Sequence, residues 1–118
     1  MKNKQLLILS RLLSVFLFIR CSKTESTGIT VDYCDGIQSN YNTGVQPLIT
    51  TYCLLGSNCH SSRSTNTGGE LTDYNKVFAK RAAIRAAVYS GTMPQTGSLT
   101  ADQKKKIVCW IDNGAANN

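Results

Sequence analysis

The sequence predicts a small all-α domain of about three main helices joined by long loops, preceded by an N-terminal signal segment. Three stretches place apolar residues at helical spacing, no stretch shows a convincing strand pattern, and turn-forming residues separate the three. The chain has 118 residues, which is room for one domain. Three Phe and one Trp give little bulk for a core. We therefore expect a disulfide, a metal or a cofactor to stabilise the domain.

Residues 1–20 are typical of an export signal. Lys2 and Lys4 open the chain, and the segment from Leu6 to Ile19 is mostly apolar. Its uninterrupted part, residues 12–19, has about the length of a signal-peptide core and is too short to span a bilayer comfortably. We therefore expect an exported protein in an oxidising compartment, where disulfides persist.

Cys21 directly follows this segment, and an apolar run that ends at a cysteine resembles a bacterial lipoprotein signal. The resemblance implies that Cys21 carries a lipid anchor, which would make the protein a periplasmic or outer-membrane-associated lipoprotein. Arg20 departs from that pattern, which has a small residue before the cysteine. The alternative is an ordinary or uncleaved signal with an incidental cysteine. Residues 21–42 then form a tether and an irregular segment before a domain at residues 43–118.

The first helix is predicted from apolar residues at positions i, i+3, i+4 and i+7. These residues are Val45, Leu48, Ile49 and Tyr52. Asn42 or Thr43 can cap its start, and Pro47 is tolerated in a first turn. The helix delivers Cys53 from its C-terminal end, and Gly56 then breaks it.

A second, longer helix is predicted from about Leu71 to Tyr89. Thr72 or Asp73 is the expected N-cap, because short polar side chains accept hydrogen bonds from the first turn. The segment is rich in Ala, and its apolar positions are Val77, Ile84 and Val88.

A third helix is predicted to begin with a capping box, in which Thr100 is the N-cap and Gln103 is the N3 residue. Its apolar face consists of Ile107, Trp110 and Ile111. The pair Asn113 and Gly114 is a C-terminal stop signal.

The charge of the chain gives no indication of nucleic-acid binding. The formal net charge is +6, but four of the thirteen Lys and Arg residues lie in the leader. The remainder from Cys21 carries nine Lys and Arg against seven Asp and Glu, with no long basic run. The one basic cluster, residues 104–106, fits either a solvated helix face or a docking patch for an acidic redox partner.

Two cysteines and a histidine lie close together in the sequence: Cys53, and then the adjacent pair Cys59 and His60. Met93 and Pro94 follow later, in a Gly-rich loop. A Cys-His pair preceded by a second cysteine resembles a covalent haem attachment site. In such a site both thiols form thioethers with haem, and the histidine is the proximal iron ligand. A methionine thioether on the other face favours Fe(II). His60 is the only histidine, so a second ligand from this chain cannot be histidine.

From about Val45 to Asn118 the chain resembles a small exported cytochrome c domain of the kind found in Bacteroidetes lipoproteins. The matching pieces are VQPLITTYC, the Cys-His pair, GGELTDYNKV, SGTMPQTGSLT and IVCWIDNGAANN. The resemblance implies one covalent haem c, held by Cys53 and Cys59 and ligated by His60 and Met93. It also implies two further site residues: Pro94, which would stiffen the methionine loop, and Trp110, which would pack near the haem and against the first helix.

The resemblance implies an electron carrier that works with redox partner proteins. We see no arrangement for an enzyme, because the chain has no Ser-His-Asp set and no close carboxylate pair, and we identify no small-molecule substrate. Five residues separate Cys53 from Cys59, where the common attachment pattern has two. Extra residues can bulge outward, since only the sulfurs and the histidine need fixed positions.

The five cysteines leave alternatives open. If Cys21 takes a lipid and Cys53 and Cys59 take haem, then Cys34 and Cys109 remain as a disulfide pair. Without haem, two disulfides can form among the last four, and the chain is then a disulfide-stabilised surface or binding domain. A third possibility is a zinc site built from Cys53, Cys59 and His60, with Cys109 or Asp73 as a fourth ligand.

Overall fold

The structure is a computed structural model and describes residues 32–118. These residues contain four α-helices. A π-helical turn, Tyr41–Val45, runs directly into α1, Gln46–Cys53; the others are α2, Tyr74–Ala79, α3, Arg81–Ser90, and α4, Ala101–Asp112. Residues 32–118 contain no strand, so the all-α prediction is confirmed for them. Within that range no helix is long and apolar enough to cross a membrane. The predicted signal at 1–20, the lipidation at Cys21 and the start of the tether lie outside the described residues.

The start of α1 differs from the sequence prediction. Neither Asn42 nor Thr43 caps it; the chain already turns as a π-helix from Tyr41. Free N–H groups at a helix start need acceptors, and here the C-terminal residue supplies them. Asn118 accepts from the backbone N–H of Tyr41 through its side chain at 3.0 Å and from that of Asn42 through its main chain at 2.8 Å. The cap is therefore a contact between the two ends of the domain.

The predicted helix from Leu71 to Tyr89 is wrong in one respect, because it is broken at Lys80. Asp73 is the N-cap of α2 as expected, and its carboxylate accepts from the Lys76 N–H at 3.0 Å. The backbone leaves helical geometry at Lys80, with φ −106° and ψ 7°, and α3 begins at the next residue. The Arg81 guanidinium donates to the Phe78 carbonyl at 2.8 Å, which satisfies an acceptor at the break.

Helix α4 begins as the sequence predicts. The Thr100 hydroxyl accepts from the Gln103 N–H at 3.2 Å, and the Gln103 side chain accepts from the Thr100 N–H at 2.8 Å. This reciprocal pair satisfies two donors that a helix start leaves free. The helix ends at Asp112, and Gly114 takes the left-handed conformation with φ +100°.

The core lies where α4 packs on α3 and on the π-helical turn that leads into α1. Val45 and Ile49 on one side and Ile107, Val108 and Trp110 on the other are all buried. The Trp110 indole packs against two tyrosine rings, those of Tyr41 and Tyr74, with centroid distances of 5.4 and 6.4 Å. Its N–H donates to the carbonyl of Ala116 at 2.8 Å, so the polar atom of this large side chain is satisfied.

A disulfide joins Cys34 to Cys109, with the two Cα atoms 5.3 Å apart. It ties the irregular segment before the domain to the buried side of α4. It is the pair that remains when Cys53 and Cys59 are assigned to a cofactor. Nearby, Arg85 of α3 donates to both carboxylate oxygens of Asp112 at 2.5 and 2.8 Å, and this bidentate contact lowers the pKa of the Asp112 carboxyl.

Candidate functional site

A cavity of about 410 Å³ lies between the end of α1, one face of α3 and the two long loops. Its volume is in the range of sites that bind organic ligands. Five of the six residues predicted to bind the cofactor line it. They are Cys53, Cys59, His60, Met93 and Pro94. Residues 40 positions apart in the sequence therefore meet around one cavity.

The loop between the two cysteines is closed at its base. The backbone N–H of His60 donates to the Cys53 carbonyl at 3.0 Å, and that of Cys59 donates to Gly56 at 3.0 Å. Leu55, in the intervening stretch, is 55% exposed. The five residues between the cysteines thus form a loop closed by these two bonds, and Leu55 and Asn58 of this loop also line the cavity. The closure keeps the backbones of Cys53 and His60 adjacent.

The imidazole of His60 is oriented by a backbone carbonyl. Nδ1 lies 2.7 Å from the carbonyl oxygen of Gly69. A carbonyl oxygen only accepts hydrogen bonds, so Nδ1 carries the proton. In the neutral ring, Nε2 is then the nitrogen with a free lone pair. Metal-binding histidines commonly use this arrangement, in which the nitrogen that is not the ligand donates to a carbonyl or carboxylate.

The two glycines of the loop 66–70 allow this close approach. An added Cβ at Gly68 would lie 2.7 Å from Cε1 of His60, well inside contact distance. Gly69 has φ +64°, a conformation that side chains rarely adopt. Asn66 fixes the turn, because its side chain accepts from the Gly68 N–H and its carbonyl from the Gly69 N–H, both at 2.8 Å.

We expect Gly68→Ala to lower the free energy of unfolding by about 1–3 kcal/mol, the usual cost of overpacking. The new methyl group collides with the His60 ring, which cannot move without losing its hydrogen bond to Gly69. Urea unfolding monitored by Trp110 fluorescence measures the change. Ser62→Ala is the control, since Ser62 is an exposed residue of the same loop. Equal midpoints for the two variants would contradict the assigned packing of Gly68.

The two cysteines at the cavity are not joined by a disulfide in this structure. Cys53 and Cys59 are both free, and both are partly buried. Burial, and to a lesser degree the nearby Cys59 sulfur, raises the pKa of the Cys53 thiol to about 11. In this structure Cys53 and Cys59 are thus free thiols, and no disulfide joins them.

The backbone positions Met93 on the cavity. Helix α3 ends at Ser90, and the next residue, Gly91, reverses the chain with a φ of +79°. The N–H of Met93 then donates to the Ala87 carbonyl at 3.2 Å, and the Thr92 hydroxyl donates to the same carbonyl at 3.3 Å. These bonds attach the methionine loop to the end of α3, so Met93 and Pro94 both line the cavity.

One face of α3 forms a wall that sequence reasoning missed. The wall consists of Ala83, Ile84, Ala87 and Val88. The two alanines stand one turn apart and leave room for a flat ligand to lie close to the helix. The spacing of these alanines was the available signal. Lys80 also lines the cavity, and it is the one charged side chain among its lining residues within 32–118.

Trp110 lies in the helix core. It does not line the cavity; its ring packs against those of Tyr41 and Tyr74, and it is 2% exposed. Tyr41 opens the π-helical turn that leads into α1, and the contact of Trp110 with a cofactor stays a prediction. An indole can fill a core as well as cover a cofactor, and the spacing of residues in α4 does not distinguish the two.

The zinc alternative lacks the ligands it requires. Cys109 is in the disulfide, and Asp73 caps α2 and pairs with Lys76 at 3.1 Å. Across residues 32–118, no three His, Cys, Asp or Glu side chains are grouped so that they could hold a metal ion. The potential ligands that line the cavity are two thiols, one imidazole and one thioether. An imidazole together with a thioether is a ligand pair that can hold the iron of a haem.

Comparison of the chain with protein-family models, with curated proteins and with solved structures gave no match.

Proposed function

We propose that this protein is an electron carrier with one covalently attached c-type haem. The observation that carries the proposal is a cavity that two free thiols, a histidine with an available Nε2 and a methionine all line. Each of these groups has a separate use in such a site.

The described residues fit the cofactor in three respects. The closed loop between the cysteines keeps the backbone of Cys53 next to that of His60 despite the long spacing. The hydrogen bond to Gly69 leaves Nε2 of His60 free to ligate iron. The alanines of α3 make a wall that accepts a planar ligand. The bound haem would supply reversible exchange of one electron at its iron.

The residues of the chain would hold, orient and shield that group. Cys53 and Cys59 would anchor it through thioethers, which do not dissociate. His60 and Met93 would ligate its iron, and a thioether ligand favours the reduced state. Tyr52 also lines the cavity, and its hydroxyl accepts from the Gln103 side chain at 3.2 Å, which joins the cavity wall to the start of α4.

The partners and location belong to the same proposal. An exported carrier anchored through Cys21 would exchange electrons with redox proteins at a membrane surface, without a small-molecule substrate or a nucleic acid. The basic cluster at 104–106 is a candidate docking patch for an acidic partner. Lys106 is exposed, whereas the Lys105 ammonium lies 5.5 Å from the centre of the Tyr33 ring. The protein would act as a carrier rather than an enzyme.

Spectroelectrochemistry of the full-length protein, exported from a host that attaches c-type haem, tests the proposed function. We expect one reversible one-electron transition in which the oxidised and reduced spectra are recovered over repeated cycles. A folded, colourless protein would instead favour the haem-free disulfide-stabilised domain. A coloured protein that is reduced irreversibly would argue against a carrier.

A further inference from the structure

Lys80 occupies an unusual place in this fold. It lies at the break between α2 and α3, is partly buried, and lines the cavity. Its ammonium group donates to the carbonyl oxygen of Gly68. The ion pairs found within residues 32–118 involve Lys76 and Arg85, and none involves Lys80. The charge of Lys80 is therefore directed at a backbone carbonyl in the cavity wall.

The carbonyl that Lys80 contacts belongs to the turn that orients His60. Gly68 and Gly69 are consecutive, and the Gly69 carbonyl accepts from Nδ1 of His60 at 2.7 Å. An added Cβ at Gly69 would lie 2.5 Å from the Lys80 ammonium nitrogen, so the ammonium lies directly against the turn. Asn66 holds the turn from the other side through the two N–H groups.

We propose that Lys80 is a positioning residue for His60. Its ammonium group fixes the Gly68–Gly69 turn. This turn then keeps the imidazole of His60 in the Nδ1–H tautomer, with Nε2 available. A hydrogen bond from a charged donor is stronger than one between neutral groups, and more so in a partly desolvated site. The role in orienting an iron ligand rests on the proposed function, whereas the effect on the imidazole does not.

This role also explains why the helix is interrupted at Lys80. A continuous helix from Tyr74 to Ser90 would satisfy every internal backbone hydrogen bond, and neither Gly nor Pro stands at the break. The break places the Lys80 side chain against Gly68 while Ala83 and Ala87 still face the cavity. Both backbone groups of Lys80 stay paired at the break, because its N–H donates to the Val77 carbonyl at 3.1 Å and its carbonyl accepts from the Ile84 N–H at 3.0 Å.

The experiment measures exchange of the Nδ1 proton of His60 with water by 15N-edited NMR. His60 is the only histidine, so its imidazole signals need no further assignment. The sample is the full-length protein as isolated from the exporting host, in the reduced state if haem is attached. In the wild type we expect the Nδ1–H tautomer with slow exchange. An Nε2–H tautomer in the wild type would overturn the proposal without any variant.

The variants separate positioning from a general effect of charge. In Lys80→Met the aliphatic stem is retained but the donor is lost, and we expect exchange about tenfold faster than in the wild type. Lys80→Arg keeps a charged donor and should remain closer to the wild type. Lys106→Met removes the same charge from an exposed site on α4 and should not change the exchange. Exchange in Lys80→Met within twofold of the wild type, or equal acceleration in Lys106→Met, would overturn the proposal.

The two proposals fail in different ways. If the protein carries no haem but exchange depends on Lys80, the electron-carrier proposal fails and the positioning role stands. If haem is attached and exchange does not depend on Lys80, the positioning role fails and the carrier proposal stands.

Discussion

Replacing both Cys34 and Cys109 by alanine is expected to lower the free energy of unfolding by about 4 kcal/mol. The disulfide joins residues 75 positions apart in the sequence, and in the chain-entropy account a crosslink over so long a loop removes much of the freedom of the unfolded chain. Domains of this size are stable by roughly 5–15 kcal/mol, so the loss is a large fraction of the total. Alanine is preferred to serine because Cys109 is fully buried and a hydroxyl there would need a partner.

Urea unfolding with and without a reducing agent measures this effect. Reductant should shift the wild-type midpoint to that of the double variant, and it should leave the double variant unchanged. The crosslink would contribute little to stability if two results were found together. Reductant would leave the wild-type midpoint unchanged, and the free energy of unfolding of the double variant would be less than about 1 kcal/mol below that of the wild type.

Replacing Met93 by alanine is expected to lower the midpoint potential of the attached haem and to change its spectrum to that of iron without a strong sixth ligand. A methionine thioether favours Fe(II), so its removal favours the oxidised state. We expect the equilibrium constant for reduction to fall by more than tenfold, which is about 59 mV for one electron. The backbone bonds of residues 92 and 93 to α3 remain, so the loop should keep its place.

Gln95→Ala is the matched control for this prediction. Gln95 lies in the same loop and lines the same cavity, but its side chain is exposed. Its replacement should leave both the potential and the spectrum close to those of the wild type. If Met93→Ala and Gln95→Ala shift the potential equally, Met93 is not the ligand.

Local signals in the sequence predicted those parts of the fold that local contacts determine. The capping box of Thr100 and Gln103 and the N-cap at Asp73 involve residues three positions apart, and both occur as expected. The start of α1 and the break at Lys80 were not predictable in this way. The first depends on Asn118 at the other end of the domain, and the second on a contact with Gly68, twelve residues away.

The candidate site shows the same division. The residue types of Cys53, Cys59, His60 and Met93 predict that they belong to one site, and the structure brings all four to one cavity. The acceptor for His60 was not readable, because a backbone carbonyl leaves no mark in the sequence beyond the flanking glycines. Trp110 was assigned to the cofactor because an aromatic residue fits either environment, and only the three-dimensional packing places it in the core.

Covalent attachment of haem is the central claim, and a haem-peroxidase stain of a denaturing gel tests it most directly. The full-length protein is exported from a host that attaches c-type haem, beside a variant with Cys53→Ser and Cys59→Ser. A thioether-linked haem survives denaturation, so we expect a stained band for the wild type and none for the variant. A folded wild-type protein that shows no stain, or a stain that persists when both cysteines are replaced, would contradict the claim.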